Sequence, residues 1–292
     1  MDASRSSQTA LGASFDQLAA RYDRHAALAR EIGMRLLERM DFLRGPPERI
    51  VDLGCGTGSA SVALKRRFRK SQVIAFDLSP GMLRQANKKS SLLRPLKPVC
   101  GDMGALPFAT QSVDLLFSNL ASFWCPEPER MFAEFRRVLR AQGMLLFSTL
   151  GPDSLSELRA AWSVRDADTH VPPHVPHFAD LLELGDALMA AGFSEPVMDV
   201  ERITLHYPAF AALADELEAI GLAFLLRGWE RDAAFAASLE AAYETLRSDG
   251  KYPLSFEIVV GTAFGPAEGQ PRKTAAGDVV TFSVESLLKT RR

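Results

Sequence analysis

Four polar residues stand where short apolar, β-prone runs give way to turns. They are Asp52 in Arg49 to Leu53, Asp77 after Val73 to Phe76, Asp102 after Pro98 to Cys100, and Asn119 after Val113 to Ser118. The first run passes directly into glycines, as Asp52-Leu-Gly54-Cys-Gly56-Thr-Gly58. Glycines at alternate positions let backbone amides approach a ligand that any Cβ would block, although by themselves they need only make a tight strand-to-helix turn. Asp77 adds chemistry to the turn. A carboxylate at the end of the second strand of such a unit accepts hydrogen bonds from the hydroxyls of a bound ribose. Asp102 and Asn119, each taken alone, can be helix caps or turn formers. Taken together, the four residues outline one pocket for a nucleoside-bearing ligand, because ligands of open α/β sheets bind at the carboxyl ends of the strands.

The elements that would position this row alternate. An apolar stripe at helical spacing (Phe15, Leu18, Ala19, Tyr22, then Leu28, Ile32, Leu36, Leu37 and Met40) predicts one or two N-terminal helices ended by Gly45-Pro46-Pro47. Helices are expected over Ala60 to Phe68, from Gly81 to Ala86 and over Met131 to Leu139, with a strand over Met144 to Leu150. Strand and helix in turn imply a parallel sheet. Beyond it come a helix over Leu155 to Trp162, a Pro- and His-bearing loop from Asp166 to Pro176 expected over the pocket, and a helix from Phe178 to Ala191. A strand follows over Val197 to Tyr207. Two helical stretches, Phe210 to Leu226 and Asp232 to Arg247, then precede a strand over Phe256 to Phe264. The expected fold is therefore α/β: a doubly wound, mostly parallel sheet with N-terminal helices and a helical insertion before the last strand. Residues 1–45 form the helical cap, 46–264 the main domain with its insertion at 208–250, and 265–292 a surface tail with a last β-prone run from Val279 to Val284.

Charge and cysteine content narrow the partners. With 34 Lys and Arg against 36 Asp and Glu, no strong basic field is available for a nucleic-acid backbone. Cys55, Cys100 and Cys125 contain no Cys-x-x-Cys pair, which points to a reducing cytoplasm rather than a disulfide framework or a zinc site. His170, His174 and His177 are close in sequence, but prolines separate them and no acid completes a ligand set, so no metal is expected. The start, Met1-Asp-Ala-Ser-Arg5, has an early acid and no apolar stretch, and no uncharged run reaches membrane-spanning length. Neither export nor membrane insertion is expected.

The Asp-x-Gly-x-Gly-x-Gly form, followed by Asp77-Leu-Ser-Pro-Gly-Met82 and Gly101-Asp-Met-Gly-Ala-Leu-Pro107, resembles class I S-adenosylmethionine methyltransferases over about residues 45 to 150. Dinucleotide oxidoreductases usually show Gly-x-Gly-x-x-Gly, and Gly58 comes one residue too early for that pattern. The resemblance implies S-adenosyl-L-methionine as cofactor. It implies further that Asp52 and the loop residues Gly54, Cys55, Gly56 and Gly58 face its methionine part and Asp77 its ribose. Leu78 and Met82 would flank the adenine, and Asp102 and Met103 would reach the adenine edge; Asn119 joins the cofactor residues from its place in the row of strand ends.

A longer set of segments comprises Phe15-Asp-Gln-Leu-Ala-Ala-Arg-Tyr22-Asp23, Ser118-Asn-Leu120 with Trp124-Cys125, Leu146-Phe-Ser-Thr-Leu-Gly151, Leu158-Arg-Ala-Ala-Trp162 and Tyr252-Pro-Leu-Ser-Phe-Glu257. Together they resemble the malonyl-carrier-protein O-methyltransferase family of biotin synthesis. This implies methyl transfer to the free carboxylate of a malonyl thioester on acyl carrier protein or coenzyme A. A carboxylate is ionised at neutral pH, so positioning and exclusion of water suffice and no catalytic triad is sought. Tyr22 and Trp124 are candidates for orienting the acceptor, with core packing the competing role for each. Arg159 is a candidate carboxylate clamp, with a solvated helix face the competing role. Arg227, Arg231 and Arg247 on the insertion would receive an acidic carrier protein. The insertion departs from the family where Leu217-Glu-Ala-Ile-Gly221 runs into Leu222-Ala-Phe-Leu-Leu226, and so does Ala121-Ser122-Phe123 before Trp124. Similar sequences include a mitochondrial complex I assembly factor regarded as an arginine hydroxylase. The departures therefore leave open a protein-modifying role, another small-molecule acceptor, or a cofactor-binding assembly protein without turnover.

Overall fold

The computed structural model describes residues 2–43, 45–166, 171–229, 233–267, 272–274 and 277–279. Seven strands form one sheet: β1 (Arg49–Leu53), β2 (Gln72–Asp77), β3 (Lys97–Cys100), β4 (Val113–Asn119), β5 (Leu139–Leu150), β6 (Ser194–Tyr207) and β7 (Tyr252–Phe264). Their order is β3-β2-β1-β4-β5-β7-β6, and every pairing is parallel except those of β7 with β5 and β6. The sheet is thus doubly wound, with the order reversing beside β1. The crevice at such a switch point lies at the carboxyl edge of the strands. Register brings the polar strand ends level there, since Asp77 pairs with Cys100, Leu53 with Ser118 and Asn119 with Ser148.

The central strands consist of buried Val, Ile, Leu and Phe because both faces are covered. On one face, Ile32 and Leu36 of α3 (Ala27–Glu38), Leu158 and Trp162 of α7 (Ser156–Arg165) and the insertion pack into a single core. On the other, α6 (Pro128–Val138) contributes Phe132 and Phe135, and α8 (Leu181–Ala190) contributes Leu184 and Leu188. Helices α4 (Ser59–Arg67) and α5 (Pro80–Lys89) follow β1 and β2.

The elements differ from the sequence expectation chiefly at their ends. The N-terminal helix α1 runs over Asp2–Leu18 and is followed by the short α2 (Tyr22–His25), so helix begins well before the stripe at Phe15. Strands β5, β6 and β7 all start earlier than expected: Leu139 of β5 pairs with Val113 of β4, Ser194 of β6 with Phe264 of β7, and Tyr252 of β7 with Tyr207 of β6. The insertion holds α9 (Phe210–Ala219) and α10 (Ala233–Tyr243), each shorter than expected and each followed by a 3-10 turn, Leu222–Leu225 and Glu244–Leu246. Gly221 explains the first stop. Its φ is +86°, and a Cβ there would lie 2.8 Å from the Phe15 ring, so α9 ends where the insertion meets α1. In the tail, Arg272–Thr274 and Gly277–Val279 form an antiparallel ribbon, β8 and β9, while most of Val279 to Val284 lies outside the described residues.

Candidate functional site

A cavity lies at the carboxyl edge of β1, β2 and β4, partly open to solvent, with about 690 Å³ of empty space including its mouth. It is lined by Gly54, Gly56, Asp77, Leu78, Met82, Asp102, Met103 and Asn119, so most of the expected row converges on it, together with Tyr22 and Trp124. The loop after β1 is shaped by where its glycines have room. A Cβ at Gly58 (φ +81°) would come within 2.6 Å of the Ala86 Cβ on α5, whereas at Gly56 (φ +53°) it would meet nothing within 4 Å. Gly58 therefore permits helix packing, and Gly56 leaves its backbone open towards the cavity.

Asp77 is buried. One carboxylate oxygen accepts the Gly56 N–H at 2.8 Å and the other accepts the Ser79 N–H at 2.8 Å. A carboxylate has about four lone-pair positions, so each oxygen retains capacity for a ligand hydroxyl. Burial pushes its pKa up to about 6, a rise its backbone donors only partly offset. Asp102 accepts the Gly104 N–H through one oxygen at 2.8 Å, an Asx-type turn that still lines the cavity. Asn119 is committed to structure. Its amide donates to the Ala29 carbonyl at 2.7 Å and its oxygen accepts from the Ser148 hydroxyl at 3.0 Å, tying β4 to α3 and β5.

Three expected cofactor residues lie elsewhere. Asp52 and Cys55 line an adjoining crevice behind the glycine loop, and Gly58 lines neither space. Asp52 accepts the Ser61 hydroxyl at 2.5 Å and is pushed up to about 7, first by burial. It braces the start of α4 rather than facing the main cavity. Arg159 also needs correction as a carboxylate clamp. Its guanidinium donates to the carbonyls of Val175, Pro176, Pro152 and Ser154 at 3.1–3.3 Å and lines none of these spaces. Of the loop expected over the cavity, residues 167–170 lie outside the described residues, and His174 is committed elsewhere: it stacks on Trp162 and bonds Asp166 and the Arg227 carbonyl. His177 pairs with Glu183, and His170 lies outside the described residues.

Helix α1 covers the cavity instead, through Gln8, Leu11 and Phe15. The fastening is Asp16, whose oxygen accepts the Ser79 hydroxyl at 2.6 Å and the Gly81 N–H at 2.5 Å at the start of α5. A second clasp joins α2 to the glycine loop and α5. Asp23 accepts the Thr57 hydroxyl at 2.5 Å and pairs with Lys89 at 2.8 Å. Leu120 was likewise not expected. Its φ of 49° is a conformation leucine rarely adopts, held by its N–H donating to the Ser148 carbonyl and hydroxyl, both at 3.0 Å.

Leu120, Tyr22 and Trp124 form the wall between this cavity and a smaller one of about 510 Å³ under the insertion. The Trp124 ring meets Phe15 edge to face, with centroids 5.0 Å apart. Burial, then Asp77, pushes the Tyr22 phenol up to about 12, so it stays protonated. The second chamber is largely apolar, with Leu205 and Phe256 in its wall, and it holds a His25–Glu216 pair at 3.0 Å. Of the insertion arginines, Arg247 is bound to Glu244 and to the Gly250 carbonyl and lies over the Tyr252 ring. Arg227 donates to the Pro172 carbonyl, and Arg231 is outside the described residues. Among the described residues no helix is long and apolar enough to cross a membrane.

The fold, the strand order and the glycine loop leading to an acid-ended second strand define a class I methyltransferase that uses S-adenosyl-L-methionine. Residues 51–147 match the family described as a methyltransferase domain. A methyltransferase structure from Bacillus halodurans superposes with a TM-score of 0.56 at 19% identity, covering 80% of this chain and 100% of that one. A Haloferax volcanii methyltransferase bound to its Trm112 activator gives 0.57 at 20%, covering 89% and 99%. These likenesses carry the fold. Relatives in sequence go further. Proteins named malonyl-[acyl-carrier protein] O-methyltransferase are 43% identical in Methylovorus sp. (87% of each chain) and 42% in Laribacter hongkongensis (92% of this chain, 94% of the relative). The one in Gallionella capsiferriformans is 41% identical, over 94% of this chain and 97% of the relative. The chain belongs to the malonyl-[acyl-carrier protein] O-methyltransferase family.

Proposed function

We propose that this enzyme methylates the free carboxylate of a malonyl group carried on acyl carrier protein, at the entry to biotin synthesis. The observation that carries the reading is the apolar chamber that adjoins the cofactor cavity across Tyr22, Leu120 and Trp124, which sets a place for an acceptor directly beside the place for the methyl donor. The cavity also fits the cofactor. It offers a buried carboxylate with spare acceptor capacity at Asp77, an open backbone at Gly56 and apolar side chains at Leu78 and Met82. In this reading Asp77 holds the ribose hydroxyls, Leu78 and Met82 flank the adenine, Asp102 and Met103 meet its edge, and Gly54 and Gly56 run along the methionine part. When bound there, S-adenosyl-L-methionine supplies an electrophilic methyl group on its sulfonium. The protein has no proton to remove from a carboxylate at neutral pH, so the roles left for Tyr22 and Trp124 are to orient the acceptor and keep water out.

On the same reading, residues 1–45 act as the cap, 46–264 as the catalytic domain with its insertion at 208–250, and 265–292 as a peripheral tail. A reducing cytoplasm suits its free cysteines. The test is incubation of purified protein with labelled S-adenosylmethionine and either malonyl-carrier protein or malonyl-CoA, with the methyl ester identified by mass spectrometry. A methyl ester on the carrier-bound malonyl group, together with rescue of a biotin-requiring strain, is expected. Absence of ester on both acceptors from protein that binds S-adenosylhomocysteine would overturn the acceptor.

A further inference from the structure

The polar groups around the second chamber differ in how they are satisfied. His25 and Glu216 hold each other, with Nδ1 3.0 Å from the carboxylate. The neighbouring tyrosines have acceptors too: the Tyr243 hydroxyl donates to the Pro253 carbonyl at 2.5 Å, and the Tyr252 hydroxyl has the Glu244 carboxylate at 2.6 Å and that of Glu240 at 3.0 Å to donate to. Tyr207 stands apart. Tyr207 lines the chamber, and its hydroxyl is buried and has no hydrogen-bond partner among the described residues. The other buried side-chain polar atoms without partners, on Ser118, Ser122 and Trp162, belong to residues that do not line this chamber. A buried hydroxyl without a partner is costly, and phenylalanine would fill the same space without that cost. Such an exception asks for a ligand.

Its position fits one. Tyr207 is the last residue of β6, opposite Tyr252 at the start of β7, and so lies at the sheet edge that carries the cofactor cavity. Burial and the Glu216 carboxylate push the phenol well up from its ordinary value, so it keeps its proton and can only donate to an anion. The Glu216 carboxylate in the same wall is already engaged by the His25 ring, 3.0 Å from Nδ1.

Building on the proposed acceptor, we infer that the Tyr207 hydroxyl donates a hydrogen bond to the acceptor's carboxylate and selects acyl groups that end in one. The apolar side chains around it would serve any short acyl chain, whereas this donor distinguishes malonyl from acetyl. Tyr207→Phe keeps the ring and its packing and removes only the donor.

The experiment compares wild type and Tyr207→Phe, each saturated with S-adenosylhomocysteine, for binding of malonyl-carrier protein and acetyl-carrier protein, alongside Tm and the affinity for S-adenosylhomocysteine itself. A hydrogen bond to a charged partner corresponds to about a tenfold to hundredfold change in affinity. The variant is expected to lose that factor for malonyl, to keep its affinity for acetyl and for S-adenosylhomocysteine, and to show an unchanged or raised Tm. Unchanged preference for malonyl in the variant overturns the assignment of Tyr207 while leaving the methylation reading intact. A lowered Tm with equal losses for both acyl groups would make Tyr207 structural. If wild type itself does not prefer malonyl and does not methylate it, the acceptor reading falls first and this inference with it.

Discussion

Replacing Asp77 by asparagine tests the cofactor site at its centre, because shape is preserved and only charge and one acceptor are changed. Each Asp77 oxygen accepts one backbone N–H at 2.8 Å, from Gly56 and from Ser79. The asparagine oxygen keeps one of these bonds, while its amide group sets a donor against the other N–H. That lost bond costs stability of about 1–3 kcal/mol. The variant also escapes the burial of a charge, the effect that raises Asp77 to about 6, so the two changes oppose one another and Tm should move little. Ligand binding has no such offset. Two ribose hydroxyls donating to a carboxylate are worth roughly 1.5–3 kcal/mol each, and an amide that can accept only one of them forfeits about 2–4 kcal/mol in total. The dissociation constant for S-adenosylhomocysteine, measured by calorimetry, should rise roughly 30- to 1000-fold. A rise under about threefold in a folded variant would refute the ribose assignment. A large loss of Tm together with weak binding would mean that Asp77 serves the loop and not the ligand.

Asp77 also predicts a pH dependence. Its folded pKa of about 6 lies above the ordinary 3.8, so the folded state holds the proton more tightly. The destabilisation is fully present above about pH 6 and is relieved as pH falls towards 4, with Asp52, raised to about 7, contributing in the same direction. Ribose binding wants the carboxylate, so affinity for S-adenosylhomocysteine should be flat above pH 7 and weaken by up to about tenfold per unit below pH 6; a flat profile to pH 5 would contradict it. Gly58→Ala should lower Tm by closing a 2.6 Å approach to Ala86 in a left-handed backbone that itself costs about 1–2 kcal/mol, and an unshifted Tm would mean α4 and α5 separate freely. Arg159→Met should lower Tm, since four carbonyls lose their donor, and leave KM for the acceptor unchanged; a raised KM at constant Tm would restore the clamp role.

The strand ends were legible because parallel strands buried on both faces are continuous apolar runs, and the first polar residue after each run falls on the edge that binds ligand. That placed Asp77, Asp102 and Asn119 in one row; the register sets Asp77 and Asn119 at the ends of their strands on one edge, and Asp102 lines the same cavity. Composition could not distinguish facing the cavity from bracing it. Asp52 and Asp77 end neighbouring strands, yet Asp52 turns to Ser61 and Asp77 to the loop amides. Arg159 was misplaced for a related reason: its partners come from residues 152–154 and 175–176, and nothing in their spacing shows that they converge on one guanidinium. The covering role of α1 was hidden because only Leu11, Phe15 and Leu18 interrupt a mostly small and polar helix, and the Asp16 clasp to Ser79 and Gly81 joins segments far apart in the chain.

The departures in the insertion can now be weighed by position. Within Leu222 to Leu226, Leu222 and Leu226 are buried, Leu222 faces the acceptor chamber, and Phe224 is exposed. The divergent stretch therefore supplies apolar wall and outer surface. The chamber's polar groups come from elsewhere: His25 from α2, Tyr207 from the end of β6, and Glu216 from α9 ahead of Gly221. Exchanging one apolar side chain for another in a wall alters fit by about 1–3 kcal/mol, whereas a chamber built to hydrogen-bond a carboxylate discriminates far more strongly against an acceptor without one. The divergence thus falls on the part of the chamber that tunes the shape of the acyl group, and it spares the groups that read its charge.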